Sequence, residues 1–130
     1  MRVVLDASAA VHALVPSTLR STVWARLGGS EVVVPALIDT EVLSALARLE
    51  RGGEVTRSEA DAAASAWQTF PCTRVTAEPL LEAIWNLRGA LRIADAHYVA
   101  LAGALGAPLL TADARLAAAP VSGVSVLLVR

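Results

Sequence analysis

VVLDASA, residues 3–9, is an apolar run that stops at a carboxylate, Asp6. Val3, Val4 and Leu5 favour β-structure, and an uninterrupted apolar run is typical of a strand buried on both faces in a parallel sheet. An ionised aspartate at the carboxyl end of such a strand either caps the following helix or is a functional group. The stretch therefore predicts a buried parallel strand and leaves the role of Asp6 to the rest of the sequence.

Beyond this strand, short β-like runs alternate with helical stretches along the whole chain. Further strands are predicted at residues 31–35, 72–75, 108–111 and 124–129. Helices are predicted between them, at residues 8–14, 17–27, 36–53, 56–69, 77–89 and 95–106. This alternation predicts an α/β fold, a three-layer α/β/α sandwich with a mainly parallel central sheet, with residues 1–130 forming a single domain.

The composition is apolar for a chain of this length, with 55% hydrophobic residues and a mean hydropathy of +0.57. No membrane span is expected, because the longest stretch without charge, residues 96–112, is interrupted by Gly103, Gly106 and Pro108. A single cysteine, Cys72, cannot form an internal disulfide, which favours the cytoplasm. The apolar surplus instead indicates a surface that contacts another chain.

The charge balance excludes several classes of function. The net charge is −1, and all eleven basic residues are arginine, so no broad basic surface for nucleic acid is expected. Phosphatases and phosphoaspartate receivers place a second carboxylate beside the first and need a lysine; here Ser8 follows Asp6 and lysine is absent. No glycine-rich nucleotide-binding motif is present either.

Three further carboxylates lie where a purely solvated residue is less expected. Glu41 borders the apolar face of its predicted helix, Asp95 begins a helix beside apolar residues, and Asp113 follows a predicted strand. Carboxylates that converge repel one another unless a cation lies between them, and oxygen ligands suit Mg²⁺ or Mn²⁺. Carboxylates around such ions are suited to phosphodiester hydrolysis. We therefore expect a catalytic, metal-binding cluster of Asp6, Glu41, Asp95 and Asp113 at the carboxyl edge of the sheet.

Each of these acids also has an ordinary structural explanation. Asp6 or Ser8 can cap the next helix, and Asp113 can cap the helix that follows it. Asp95 can act as a favourable negative charge at a helix N-terminus, and Glu41 can be a half-exposed surface residue. The alternative function is thus a catalytically inactive α/β protein-interaction module whose carboxylates cap helices.

Three stretches together resemble a known family: VVLDASA (3–9), VPALIDTEVLSALAR (34–48) and IADAHYVALAGALGAPLLTADARLA (93–117). They are similar to PIN-domain ribonucleases, particularly the VapC-type toxins of bacterial toxin–antitoxin pairs. The resemblance extends from Val3 to about Ala118. It implies an endoribonuclease that hydrolyses RNA with Mg²⁺ or Mn²⁺, works as a homodimer and is restrained by a cognate antitoxin protein.

Carried over position by position, the family's acids fall on Asp6, Glu41, Asp95 and Asp113. Its small hydroxyl residue after the first acid falls on Ser8, and the threonine of its TAD motif falls on Thr111. The chain departs from relatives at Ser44, where an asparagine is frequent. The arginines expected to hold RNA phosphates are those near the acids in sequence, Arg88, Arg92 and Arg115. The alternative is that they form ordinary ion pairs with the acidic cluster or at the surface.

Overall fold

The computed structural model describes residues 1–130 and contains a five-stranded sheet. The strands are β1 (Arg2–Leu5), β2 (Glu31–Pro35), β3 (Thr73–Val75), β4 (Leu109–Thr111) and β5 (Val126–Leu128). Their order across the sheet is β3-β2-β1-β4-β5, and every neighbouring pair is parallel. All five predicted strands are present. The sheet was expected to be mainly parallel, and it is parallel throughout.

Helices flank this sheet. They are α1 (Ala7–Leu14), α2 (Arg20–Leu27), α3 (Ile38–Arg51), α4 (Arg57–Gln68), α5 (Leu81–Asn86), α6 (Ile93–Leu105) and α7 (Ala114–Ala117). Helix α6 packs against β1, β2 and β4 and also contacts α5, whereas α1 packs against α2, α3 and α4. The strands supply fully buried residues to one large apolar core, including Val4, Leu5, Val34 and Leu109. None of the helices has the length and apolarity needed to cross a bilayer.

Two helices differ from their predicted extent. The helix predicted at 77–89 is a 3₁₀ turn, Glu78–Leu80, followed by the short α5. Pro79 lies in the first turn, where its missing N–H breaks no helical hydrogen bond. The interruption occurs at Leu80, whose backbone (φ −111°, ψ 2°) leaves the helical conformation before α5 begins. The helix predicted at 17–27 begins only at Arg20.

The chain order of the strands creates a crevice at the middle of the sheet. From β1 the chain moves to β2 and β3, and it then returns to β4 on the other side of β1. In open parallel sheets such a reversal leaves a crevice beyond the carboxyl ends of the two strands, where ligands bind. Asp6 directly follows β1 and Thr111 ends β4, so both lie at this crevice.

Candidate functional site

All four predicted acids line one cavity. The cavity has a volume of about 330 Å³, and its walls include Asp6, Glu41, Asp95 and Asp113, together with Ser8, Ser44, Arg48 and Arg92. The acids come from the end of β1, from α3, from the first turn of α6 and from the segment after β4. The structure thus brings together side chains that are up to 107 positions apart in the sequence.

Asp6 occupies the N-cap position of α1, but its side chain makes no capping hydrogen bond. Instead, its Oδ2 accepts hydrogen bonds from Ser8 Oγ at 2.6 Å and from Thr111 Oγ1 at 2.7 Å. The residue as a whole is only 6% exposed. The capping explanation is therefore wrong for Asp6.

The two hydroxyls are oriented by the backbone of the segment after β4. The N–H of Ala112 donates to Ser8 Oγ, and the N–H of Asp113 donates to Thr111 Oγ1, each at 3.0 Å. Because each hydroxyl has a single proton and accepts from the backbone, its own proton is free to point at Asp6. This network fixes the carboxylate and ties the end of β1 to the end of β4.

Asp95 and Asp113 are joined by one guanidinium. Asp95 Oδ2 accepts from Arg92 Nε and from Arg115 Nη2, both at 3.3 Å, and the same Arg115 nitrogen lies 3.0 Å from Asp113 Oδ2. The other oxygen of Asp113 caps α7, accepting from the backbone of Arg115 at 2.9 Å and of Leu116 at 3.4 Å. Capping therefore explains Asp113 in part. Asp95 lies in the first turn of α6, where a negative charge is favourable, but it is also buried and has two guanidinium partners.

Glu41 has a partner that the sequence reasoning missed. The hydroxyl of Tyr98, a fully buried residue of α6, donates to Glu41 Oε1 at 2.5 Å. One sequence signal was available. Tyr98 is the only tyrosine of the chain and lies in an apolar helix, one turn after Asp95, and a buried phenol requires a hydrogen-bond partner. Helix α6 thus contributes both an acid and the group that holds another acid.

The acids share one electrostatic environment. Burial raises the pKa of Asp6 above its ordinary value, the hydrogen bonds from Ser8 and Thr111 oppose that rise, and the charge of Asp95 adds to it. Burial also raises the pKa of Glu41, with Tyr98 opposing and the charges of Asp6 and Asp95 adding. A proton or a cation in the cavity relieves this repulsion.

The arginines differ from those expected. Arg92 lines the cavity and Arg115 contacts its acids, but Arg88 stacks on the Trp85 ring at 4.3 Å and donates to the Trp85 carbonyl instead. Arg48 of α3 lines the cavity although it lies seven residues after Glu41, and sequence proximity to the acids did not identify it.

The donor set fits a hard divalent cation completed by other ligands. No group of three or more His, Cys, Asp or Glu side chains is arranged to hold a metal ion by itself. Mg²⁺, however, is usually held by one or two carboxylates, with waters and substrate phosphates completing its octahedron. Asp6 and Asp95, buried and close enough for the charge of one to affect the other, provide such a pair without any soft ligand.

Comparison with protein families matches residues 3–121 to the PIN domain. The chain is 45% identical over 119 residues to Ribonuclease VapC3 of Mycobacterium tuberculosis, covering 91% of this chain and 87% of that protein. It is 37% identical over 114 residues to Ribonuclease VapC9 of the same organism, covering 88% and 87%.

Solved structures share the fold at low sequence identity. VapBC2 from Rickettsia felis, bound to a DNA fragment from its promoter, superposes with a TM-score of 0.69 at 11% identity, covering 100% of both chains. VapC20 of Mycobacterium tuberculosis, a sarcin–ricin loop cleaving toxin, gives a TM-score of 0.65 at 18% identity, covering 89% of this chain and 93% of that one.

Proposed function

Because the chain belongs to the PIN-domain family, we propose that it is a metal-dependent endoribonuclease, the toxin of a toxin–antitoxin pair. The observation that carries the proposal is the convergence of four acids on one cavity, two of them buried, at the reversal point of a parallel sheet. Relatives named as ribonucleases cover most of the chain and support the reaction class. We assign this activity to residues 1–130 as one nuclease domain.

Each acid has a distinct role in this proposal. A bound Mg²⁺ or Mn²⁺ would supply an activated water and neutralise charge that develops on the phosphate. Asp6 and Asp95 would hold the cation, and the hydroxyls of Ser8 and Thr111 keep Asp6 in one orientation. Glu41, positioned by Tyr98, and Asp113 line the cavity, where they would bind waters that complete the coordination of the ion.

Substitution of the two buried acids tests the proposal. Asp6→Asn and Asp95→Asn keep side-chain size but remove the charge that holds the cation, so each should reduce RNA cleavage by orders of magnitude. Asp61→Asn is the matched control, because Asp61 is exposed on α4 and lies outside the cavity. Cleavage is measured in matched Mg²⁺ and in EDTA, and circular dichroism checks the fold. Wild-type cleavage by either buried-acid variant would refute the proposed site.

The proposed assembly is a homodimer in the cytoplasm, restrained by an antitoxin. The similarity to VapC ribonucleases supports the antitoxin, of which a segment bearing Arg or Lys would enter the acidic cavity. Exposed apolar side chains support the dimer: Leu81 and Trp85 lie one turn apart on α5, at 57% and 59% exposure. Sedimentation should show a dimer at micromolar concentration, and monomer alone would contradict it.

The alternative, a metal-free interaction module, depends on carboxylates that cap helices. Only Asp113 of the four acids makes capping hydrogen bonds with its side chain. Calorimetric titration with Mn²⁺ distinguishes the two functions: the nuclease binds the ion and Asp6→Asn weakens that binding, whereas an interaction module binds none.

A further inference from the structure

One arginine of the cavity wall, Arg48, forms no ion pair with an acidic side chain. Arg92 and Arg115 each lie 3.3 Å from Asp95 Oδ2, and Arg115 also lies 3.0 Å from Asp113 Oδ2, so each already has a carboxylate partner. Arg48 lines the same cavity and takes part in no salt bridge or side-chain hydrogen bond in residues 1–130. Its guanidinium therefore keeps its donors available for a ligand.

The position of Arg48 on α3 aims it at the space beside the acids. Seven residues separate it from Glu41, which is about two helical turns, so the two side chains share a face about 10 Å apart along the helix axis. Ser44 and Ala45, between them on this face, also line the cavity. Helix α3 thus presents a carboxylate at one end of the cavity wall and a guanidinium at the other.

The acidic cavity continues into a larger one at Arg48. A neighbouring cavity of about 730 Å³ shares Ser8, Ala45 and Arg48 with it and extends along α1 and the end of α3. A chain that occupies the acidic cavity and leaves in this direction must pass Arg48. A polynucleotide that crosses this junction carries one phosphate per nucleotide, so it brings phosphates close to Arg48.

We propose that Arg48 binds a backbone phosphate of the RNA next to the one being cleaved, and so anchors the substrate on α3. This inference rests on the proposed ribonuclease function. A planar guanidinium with free donors forms forked hydrogen bonds to a phosphate, and an unpaired arginine loses no existing ion pair when it does so. RNA is favoured over an acidic protein segment because the reaction itself requires phosphates at the acids that Arg48 adjoins.

The chain offers a matched control on the same helix. Arg48 and Arg51 both lie in the last turn of α3, where each cation interacts favourably with the helix C-terminus, so substituting either one should affect the helix similarly. Arg51 lines the larger cavity but not the acidic one. Only Arg48→Gln should therefore remove a contact to the phosphate beside the acids.

The test measures fluorescence anisotropy of a labelled single-stranded RNA oligonucleotide in the cleavage-deficient Asp6→Asn background. Arg48→Gln should weaken binding about tenfold, as for a lost hydrogen bond to a charged group, whereas Arg51→Gln should weaken it much less, because Arg51 borders only the larger cavity. The slope of log affinity against log salt should become shallower by about 0.7 for one lost phosphate contact on a single strand. In the active protein Arg48→Gln should raise KM more than it lowers kcat, because the contact is present before the reaction.

The outcomes separate this inference from the proposed function. If Arg48→Gln and Arg51→Gln bind RNA equally and with equal salt slopes, while the parent protein cleaves RNA, Arg48 is not an anchor and the nuclease stands. If the parent protein neither binds nor cleaves RNA in Mg²⁺ or Mn²⁺, both proposals fail. If Arg48→Gln weakens only the binding of a partner protein, the phosphate contact is refuted. Melting temperatures of both variants verify that they are folded.

Discussion

Asp6 occupies a helix N-cap position, but its carboxylate accepts hydrogen bonds from two hydroxyls instead of capping the helix. Both hydroxyl donors, from Ser8 and Thr111, bind the same carboxylate oxygen. Thr111 is fully buried, and the N–H of Asp113 holds its oxygen at 3.0 Å. The contact between Thr111 and Asp6 exists because β4 lies beside β1 in the sheet. The sequence around Asp6 alone therefore cannot predict this contact.

Sequence patterns identified the acids more readily than the groups that hold them. Asp6 and Asp113 follow predicted strands, so the parallel-sheet rule placed both at one edge. Tyr98 carries only the weaker signal of a lone phenol in an apolar helix, which does not name its partner, and Arg48 carries none, because an arginine on a helix is ordinary until the neighbouring elements are known. The contact between Tyr98 and Glu41 joins positions 57 residues apart and follows from how α3 and α6 pack in three dimensions.

Tyr98→Phe tests whether the phenol holds Glu41. The substitution leaves a half-buried carboxylate without its donor and should lower the free energy of unfolding by about 1 kcal/mol. In a Glu41→Ala background, which has no acceptor for the phenol, the same substitution should cost less, so urea unfolding of the four proteins forms a double-mutant cycle. Equal losses in both backgrounds would mean that Tyr98 stabilises only the core.

The secondary-structure elements were predictable where local chemistry decides them. The strands β1, β2, β4 and β5 are short, largely apolar runs, whereas β3 contains Arg74 and is mostly exposed. Helix α4 begins with a capping box. In that box Thr56 Oγ1 accepts from the Glu59 backbone at 3.0 Å, and the Glu59 side chain accepts from the Thr56 backbone at 2.8 Å. The order of strands in the sheet could not be derived from these local signals. The interruption of the helix predicted at 77–89 was missed because Leu80, where the backbone leaves the helical conformation, carries no local sequence signal.

Thr56→Ala tests the capping box by itself. It removes the acceptor for the Glu59 N–H and should lower the free energy of unfolding by about 1 kcal/mol. Ser58→Ala, an exposed position in the same turn without a side-chain hydrogen bond, is the control and should cost nothing. RNA cleavage should be unchanged in both, since α4 does not line the acidic cavity. Equal stability of the two variants would show that the capping box does not contribute.

For the protein as a whole, the buried acids make stability depend on pH. The pKa values of Asp6 and Glu41 are raised in the folded state, chiefly by burial, from ordinary values of 3.8 and 4.5. Between the ordinary and the raised values the folded protein binds more protons than the unfolded one, so stability falls as pH rises through this window. Asp39 has the opposite effect on stability. The hydrogen bonds from Arg74 lower its pKa in the folded state, so the stability that this group contributes is lost as the pH falls below about 3.8.

In EDTA, the melting temperature of Asp6→Asn minus that of the wild type should therefore increase from pH 4 to neutral pH. The difference cancels the contributions of unchanged groups, including Asp39. At neutral pH Mn²⁺ should raise the melting temperature of the wild type more than that of Asp6→Asn, because the ion binds the folded state preferentially. A difference that is constant with pH would contradict the electrostatic account of the cavity.

The most direct test of the central claim is the anomalous diffraction of a crystal soaked in Mn²⁺. The account predicts a peak in the acidic cavity, with oxygens of both Asp6 and Asp95 at about 2.0–2.2 Å from the ion, as for Mg²⁺-type coordination. The same soak of Asp6→Asn crystals should give a weaker peak or none. An empty cavity in the wild type, or a manganese ion bound only elsewhere, would contradict the claim that these acids form a metal-dependent nuclease site.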